Sequence, residues 1–99
     1  MAQLTAADRL AKVKTALGMN GSDYQDEILS IYISEVLEGM IDAGVQREVA
    51  ESHAAVGCIA VGVNDLWNYS SGGVRFSDYF KSRVVQLSLK RVETNVQTE

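Results

Sequence analysis

The chain has 99 residues, 46% hydrophobic and 22% charged, with nine Lys and Arg against thirteen Asp and Glu for a formal net charge of −4. A chain of this length holds one core, burying roughly two thirds of its unfolded surface, and its acidic balance disfavours gripping phosphate backbones, an affinity that comes from cationic neutralisation and counterion release. The lone Cys58 and lone His53 exclude an internal disulfide and a cysteine-rich zinc site, so no metal or cofactor is expected.

In chain order, MAQLTAADRLAKVK has no long apolar stretch followed by a small-residue cleavage site, so no signal peptide is read and the chain is expected to stay in the cytosol where it is made. Thr5 with Asp8 three residues on approximates a capping box, and Leu10, Val13 and Leu17 fall at helical spacing before Gly18. The first predicted helix is 6–17. The loop MNGSDYQDE follows, with Ser22 or Asp23 as the expected cap and Asp23, Asp26 and Glu27 suited to a positive helix N-terminus.

The second helix is expected to run to Ala43 and stop at Gly44. Its apolar residues come in adjacent pairs four apart (Ile28-Leu29, Tyr32-Ile33, Val36-Leu37, Met40-Ile41), a wide stripe to bury, with Ser30, Ser34, Glu35, Glu38 and Asp42 opposite. Ile31 breaks the polar flank. It is either a scattered surface group or a subunit contact.

Ala54 to Val63 carries no polar side chain, but His53 on one side and Asn64 and Asp65 on the other leave it short of the ~20 residues a membrane span needs. No membrane association is expected. Val49, His53, Val56, Ala60, Val63 and Trp67 recur at intervals of 4, 3, 4, 3 and 4, a helical period too long for a strand, and they form the predicted core seam of a third helix. Ala54, Cys58 and Gly62 make a second line of small residues that lets another backbone come close. Being apolar nearly all round, this helix should be the central one.

After Asn68-Tyr-Ser-Ser-Gly-Gly73, a fourth helix is predicted over 74–89, with Phe76, Phe80, Val84 and Leu87 inward and Arg75, Asp78, Lys81 and Arg83 towards water. KRVETNVQTE has no stripe and is expected to be frayed or extended in isolation. The fold class is therefore all-α: a compact four-helix protomer over 1–89 and a C-terminal tail over 90–99.

Catalysis finds little support. His53 is expected to be buried or half-buried on the apolar seam, where a general base would reach no substrate. Cys58, five residues on and about 140° around the helix, reads as a small buried hydrophobe. The cluster Asp23, Asp26, Glu27 lacks a calcium-hand framework, and Gly18-Met-Asn-Gly21 lacks the Gly-Lys-Ser/Thr of a phosphate loop. Lys81, Arg83, Lys90 and Arg91 make the C-terminal region locally basic, either a solvated face or a docking surface for an acidic partner.

The order of the pieces carries a resemblance. Leu10, Val13, Leu17 and Asp23 to Ile28, then Ile41-Asp-Ala-Gly-Val45, then Trp67-Asn-Tyr69, Arg75-Phe76, Tyr79 and Leu87-Ser-Leu89 resemble the small head-tail connector, or neck adaptor, family of tailed bacteriophages and prophages. The resemblance spans roughly nine tenths of the chain. It implies a helical protomer in a ring, commonly dodecameric, located in the virion neck beneath the portal. Such a ring extends the DNA channel, through which DNA passes only as cargo, and presents its far face to a stopper or tail-completion protein. The family has no catalytic residues, and its C-terminal segment reaches the portal, which would give Lys90, Arg91, Val92 and Val96 a portal-binding role. One departure is the Gly- and Ala-rich interior of the third helix, where the family more often carries larger residues and charges.

A closed ring needs two unlike, complementary faces on each protomer. Ile31, Glu35 and Glu38 are the candidates for one, and Arg75, Tyr79 and Arg83 for the other, pairing acid with base. The alternative, a small helical DNA-binding or regulatory module, would need exposed Arg, Lys, Asn or Gln on its recognition helix. A small enzyme is disfavoured by the lack of a convergent polar set.

Overall fold

The computed structural model describes residues 3–19, 23–68 and 76–91. Their fold is all-helical: α1 (Ala6–Ala16), α2 (Asp26–Asp42), a single turn α3 (Arg47–Ala50), a 3-10 turn (His53–Ala55), α4 (Val56–Trp67) and α5 (Asp78–Ser88). Among the described residues no helix is long and apolar enough to cross a membrane, and the only extended pairing is an isolated antiparallel bridge between Gln3 and Ser52.

Thr5 caps α1, its Oγ1 accepting from the Asp8 amide at 3.0 Å. The helix buries Val13 and, beside it, Arg9 and Lys14. Arg9 Nη2 donates to the carbonyls of Leu4 and Glu51 at 2.9 and 3.1 Å, tying the N-terminal segment to the turn after α3. Lys14 Nζ lies 2.8 Å from Asp26 Oδ1 and 3.2 Å from Asp23 Oδ1. The hydrogen bond to Asp26 holds the Lys14 pKa above its ordinary value against the opposing effect of desolvation. Asp23 is thus engaged by a lysine across the loop. The N-cap of α2 is Gln25, with no side-chain capping bond, instead of the expected Asp23, and Ser22 lies outside the described residues.

α2 buries Leu29, Ile33, Val36, Leu37 and Met40 and ends where Gly44 takes φ +111°, a left-handed conformation that favours glycine. Across the adjacent pairs the core takes Leu29, Ile33, both Val36 and Leu37, and Met40, with Tyr32 and Ile41 partly buried against it, while Ile28 stays exposed.

One continuous third helix from Val49 to Trp67 is not what forms. Ser52 is fully buried in extended conformation (φ −90°, ψ 168°), its Oγ donating to the Val49 carbonyl at 2.7 Å and accepting from the Ala54 amide at 3.2 Å. A serine that bonds neighbouring backbone in this way competes with the helix ladder, and the phase of the period is reset. His53, expected on the core seam, is therefore exposed. Val49, Ala60 and Val63 are buried as the seam requires, Val56 is half-buried, and Trp67 is 37% exposed at the rim, meeting the ring of Tyr32 edge-on at 5.8 Å.

α4 is the central helix, packing on α1, α2 and α5. Its small residues permit the approach: a Cβ on Gly62 would lie 2.6 Å from Phe80 Cε1 and 2.8 Å from Val36 Cγ1, so α5 and α2 both close onto this position. α5 begins at Asp78, later than the expected 74, because Ser77 is extended and its Oγ accepts from the Phe80 amide at 3.2 Å. The Ser77 amide in turn donates to Asp65 Oδ2 at 3.0 Å, pinning the start of α5 to α4.

Candidate interaction surfaces

The exposed side of α2 carries Glu35, Glu38 and Asp42, with Glu27 towards its N-terminal end, and α2 has no lysine or arginine. Ile31 stands out from it, 55% exposed, with Tyr24 and Ile28 also exposed on the N-terminal side. Ile31 and Glu35, one helical turn apart, therefore share an open surface, as the candidate interface requires. Glu38 is already engaged within the chain: its Oε1 and Oε2 lie 3.2 and 3.3 Å from the Arg47 guanidinium, which also reaches Glu51 at 3.3 Å. The Glu38 hydrogen bond is the main cause of the raised Arg47 pKa. Such exposed pairs orient α3 against α2 more than they stabilise it.

The second surface lies on α5 and the residues after it. Tyr79 is 60% exposed, and Arg83, one turn on, is half-buried with its Nη1 donating to Gln86 Oε1 at 2.9 Å. Val85 and Leu89 are exposed on the same helix, and Lys90 and Arg91 are exposed beyond its end. Arg75, Val92 and Val96 lie outside the described residues.

Two grooves of about 470 Å³ each flank α4. The first runs between α2 and α5, walled by Val36, Met40, Leu66, Phe76, Phe80 and Val84, floored on the α2 side by Gly39 and Ala43, and rimmed by Glu35 and Lys81. Phe76 stacks on Phe80 at 4.8 Å, extending the aromatic wall past the helix start. The second lies between α1 and α4, with Gly57 and Val61 on its floor and Tyr79 at its edge. Neither is visible in a helical-period reading, which assigns residues to one face of one helix, whereas a groove forms from the flanks of two.

His53 is on the surface, whereas Cys58 is buried in α4, where desolvation pushes its thiol up to about 11 against a smaller opposing pull from Arg83. A thiol with that pKa is essentially all protonated at neutral pH and is a poor nucleophile. Among the described residues no group of three or more His, Cys, Asp and Glu is placed to hold a metal ion.

No protein-family model, curated protein or solved structure matches this chain.

Proposed function

We propose that this chain is a structural assembly protein: a ring-forming adaptor of the head-tail connector kind, seated beneath a portal, continuing a passive DNA channel and joining the head to a stopper or tail-completion protein. The reading rests on the order of sequence pieces that resembles that family. The observation that supports it is the pair of unlike outer faces. α2 presents carboxylates around exposed Ile31, and the α5 side presents Tyr79 with half-buried Arg83 one turn on, and Lys90 and Arg91 exposed beyond the helix end. Head-to-tail contacts of a cyclic ring join two different patches of opposite character, unlike the self-paired patch of a two-fold dimer.

Within the acidic face Glu35 is the carboxylate to test, because Glu38 is bound to Arg47 of its own chain. Glu35→Arg and Arg83→Glu should each abolish assembly on the portal, and combining them should restore it. Unimpaired assembly of both single variants would overturn the pairing of these faces.

A further inference from the structure

We propose that the cavity between α1, α2 and α3 binds a small organic monocarboxylate, anchored by the Arg9 guanidinium. This concerns a single chain and holds or fails independently of the adaptor reading.

The first observation is Arg9 itself. Only 8% of its surface is exposed, and among the described residues no carboxylate lies within ion-pairing distance of it. Its hydrogen bonds there run from Nη2 alone, to the backbone carbonyls of Leu4 and Glu51. Nε is sealed from solvent with no partner among the described residues. A charge withdrawn from water is costly unless it is paired. Lys14, buried on the same helix, shows the contrast, because it meets the carboxylates of both Asp23 and Asp26. Arg9 has two neutral carbonyls where burial favours a counter-charge.

The second observation is where Arg9 stands. It lines a cavity of about 230 Å³ with an apolar wall of Leu10, Ile33 and Leu37 and with Ser30 and Ser34 on its α2 side. A water takes about 30 Å³ of the liquid, so the space admits a ligand of several heavy atoms. The two serines are one helical turn apart, and neither hydroxyl has a hydrogen-bond partner among the described residues. Both are therefore able to donate to an oxyanion. Nη1 of Arg9, which bonds nothing among the described residues and is not sealed off as Nε is, supplies the charged donor.

The third observation is the charge around the cavity, which selects the class of anion. Glu38 and Glu51 also border it, and Arg47 is bonded to both. Two carboxylates sharing one guanidinium leave an excess negative charge on that side, opposite the excess positive charge of Arg9. A monoanion is balanced by Arg9, whereas a second negative charge on the ligand would face Glu38 and Glu51 with nothing to offset it. Sulfate and other dianions are thereby disfavoured. The apolar wall adds a preference for an alkyl group behind the carboxylate, covered by Leu10, Ile33 and Leu37.

The test is an NMR titration of the isotope-labelled full chain with sodium butyrate, against sodium chloride and sodium sulfate at matched ionic strength and neutral pH. The readouts are the Arg9 Nε–H signal and the Ser30 and Ser34 amides. The proposal expects saturable shifts with butyrate, half complete in the millimolar range, which is well inside the affinity ceiling for so small a ligand. Chloride should give no saturable shift, and sulfate should bind at least about tenfold more weakly, since like charges brought together are penalised by more than that factor. Arg9→Gln should abolish the response. Because Arg9 also ties down Leu4 and Glu51, a substitution at exposed Ser34 asks the same question with Arg9 intact. Ser34→Asp places a carboxylate at the cavity and should weaken butyrate binding by at least about tenfold, while the neutral isostere Ser34→Asn should retain it. No saturable butyrate shift would overturn the proposal, as would sulfate binding as tightly as butyrate. So would a response that survives Arg9→Gln in a folded chain, or equal butyrate binding by the Ser34→Asp and Ser34→Asn chains.

Discussion

Replacing Gly62 by alanine sets two known effects against each other. Alanine in the middle of α4 gains about 1 kcal/mol of helix propensity. Its methyl, however, would sit 2.6 Å from Phe80 Cε1, 3.1 Å from Phe80 Cδ1 and 2.8 Å from Val36 Cγ1, about 1 Å inside the usual ~3.5–4.0 Å carbon contact distance. Overfilling a packed site costs typically ~1–3 kcal/mol. The cost should fall in the upper part of that range, because Val36 is 3% exposed and β-branched, with one stiff rotamer on its own helix, although the Phe80 ring can tilt towards the groove it lines. The expected net effect is a loss of about 1–2 kcal/mol, lowering Tm by roughly 5–10 °C in a domain of this size. Urea unfolding followed by far-UV circular dichroism measures it, with Gly57→Ala, where the Cβ meets nothing within 4 Å, as a reference that should lose nothing. Shortening Phe80 to leucine should cost less in the Gly62→Ala chain than in the parent, because it relieves the overlap. A Gly62→Ala chain as stable as the parent would refute the view that α2, α4 and α5 converge on this residue.

Two further outcomes follow from the same packing. Burial raises the Cys58 pKa from an ordinary 9.0 to about 11, so the folded state favours the neutral thiol. The contribution is fully present below pH 9 and is lost as pH rises from there through about 11, amounting to about 3 kcal/mol at most. Stability against pH should therefore fall more steeply for the parent than for Cys58→Ala across that window, and parallel curves would contradict it. Ser77→Ala removes the cap on the Phe80 amide and should cost about 1 kcal/mol, read as a lower urea midpoint at unchanged m-value.

The helical class, the central place of the Cys58 segment and the start of α1 at its Thr5 cap were legible because each rests on local spacing or on a capping residue. Continuous periodicity across Ser52 misled for a physical reason. Val49, Val56 and Val63 keep the seam on both sides of the break, so the period survives while the serine hydroxyl diverts the backbone and turns His53 outwards. The buried cations were legible only in hindsight: Arg9 and Lys14 lie four residues before Val13 and four after Leu10, on the apolar stripe of α1, and their partners Glu51, Asp23 and Asp26 come from elsewhere in the chain. Glu38 looked available because nothing local pairs with it, and Arg47 reaches it only after the turn at Gly44 reverses the chain. The groove at Gly39 depends on the spacing between two helices, which no single-helix pattern encodes.

The adaptor reading is tested most directly by electron microscopy of the chain mixed with a candidate portal protein. The account predicts a closed ring on one end of the portal, with the α2 face of each subunit against the α5 face of the next and an open channel along the axis. Bare portals in the presence of excess folded chain, or subunits joined through the same face on both sides, would contradict it.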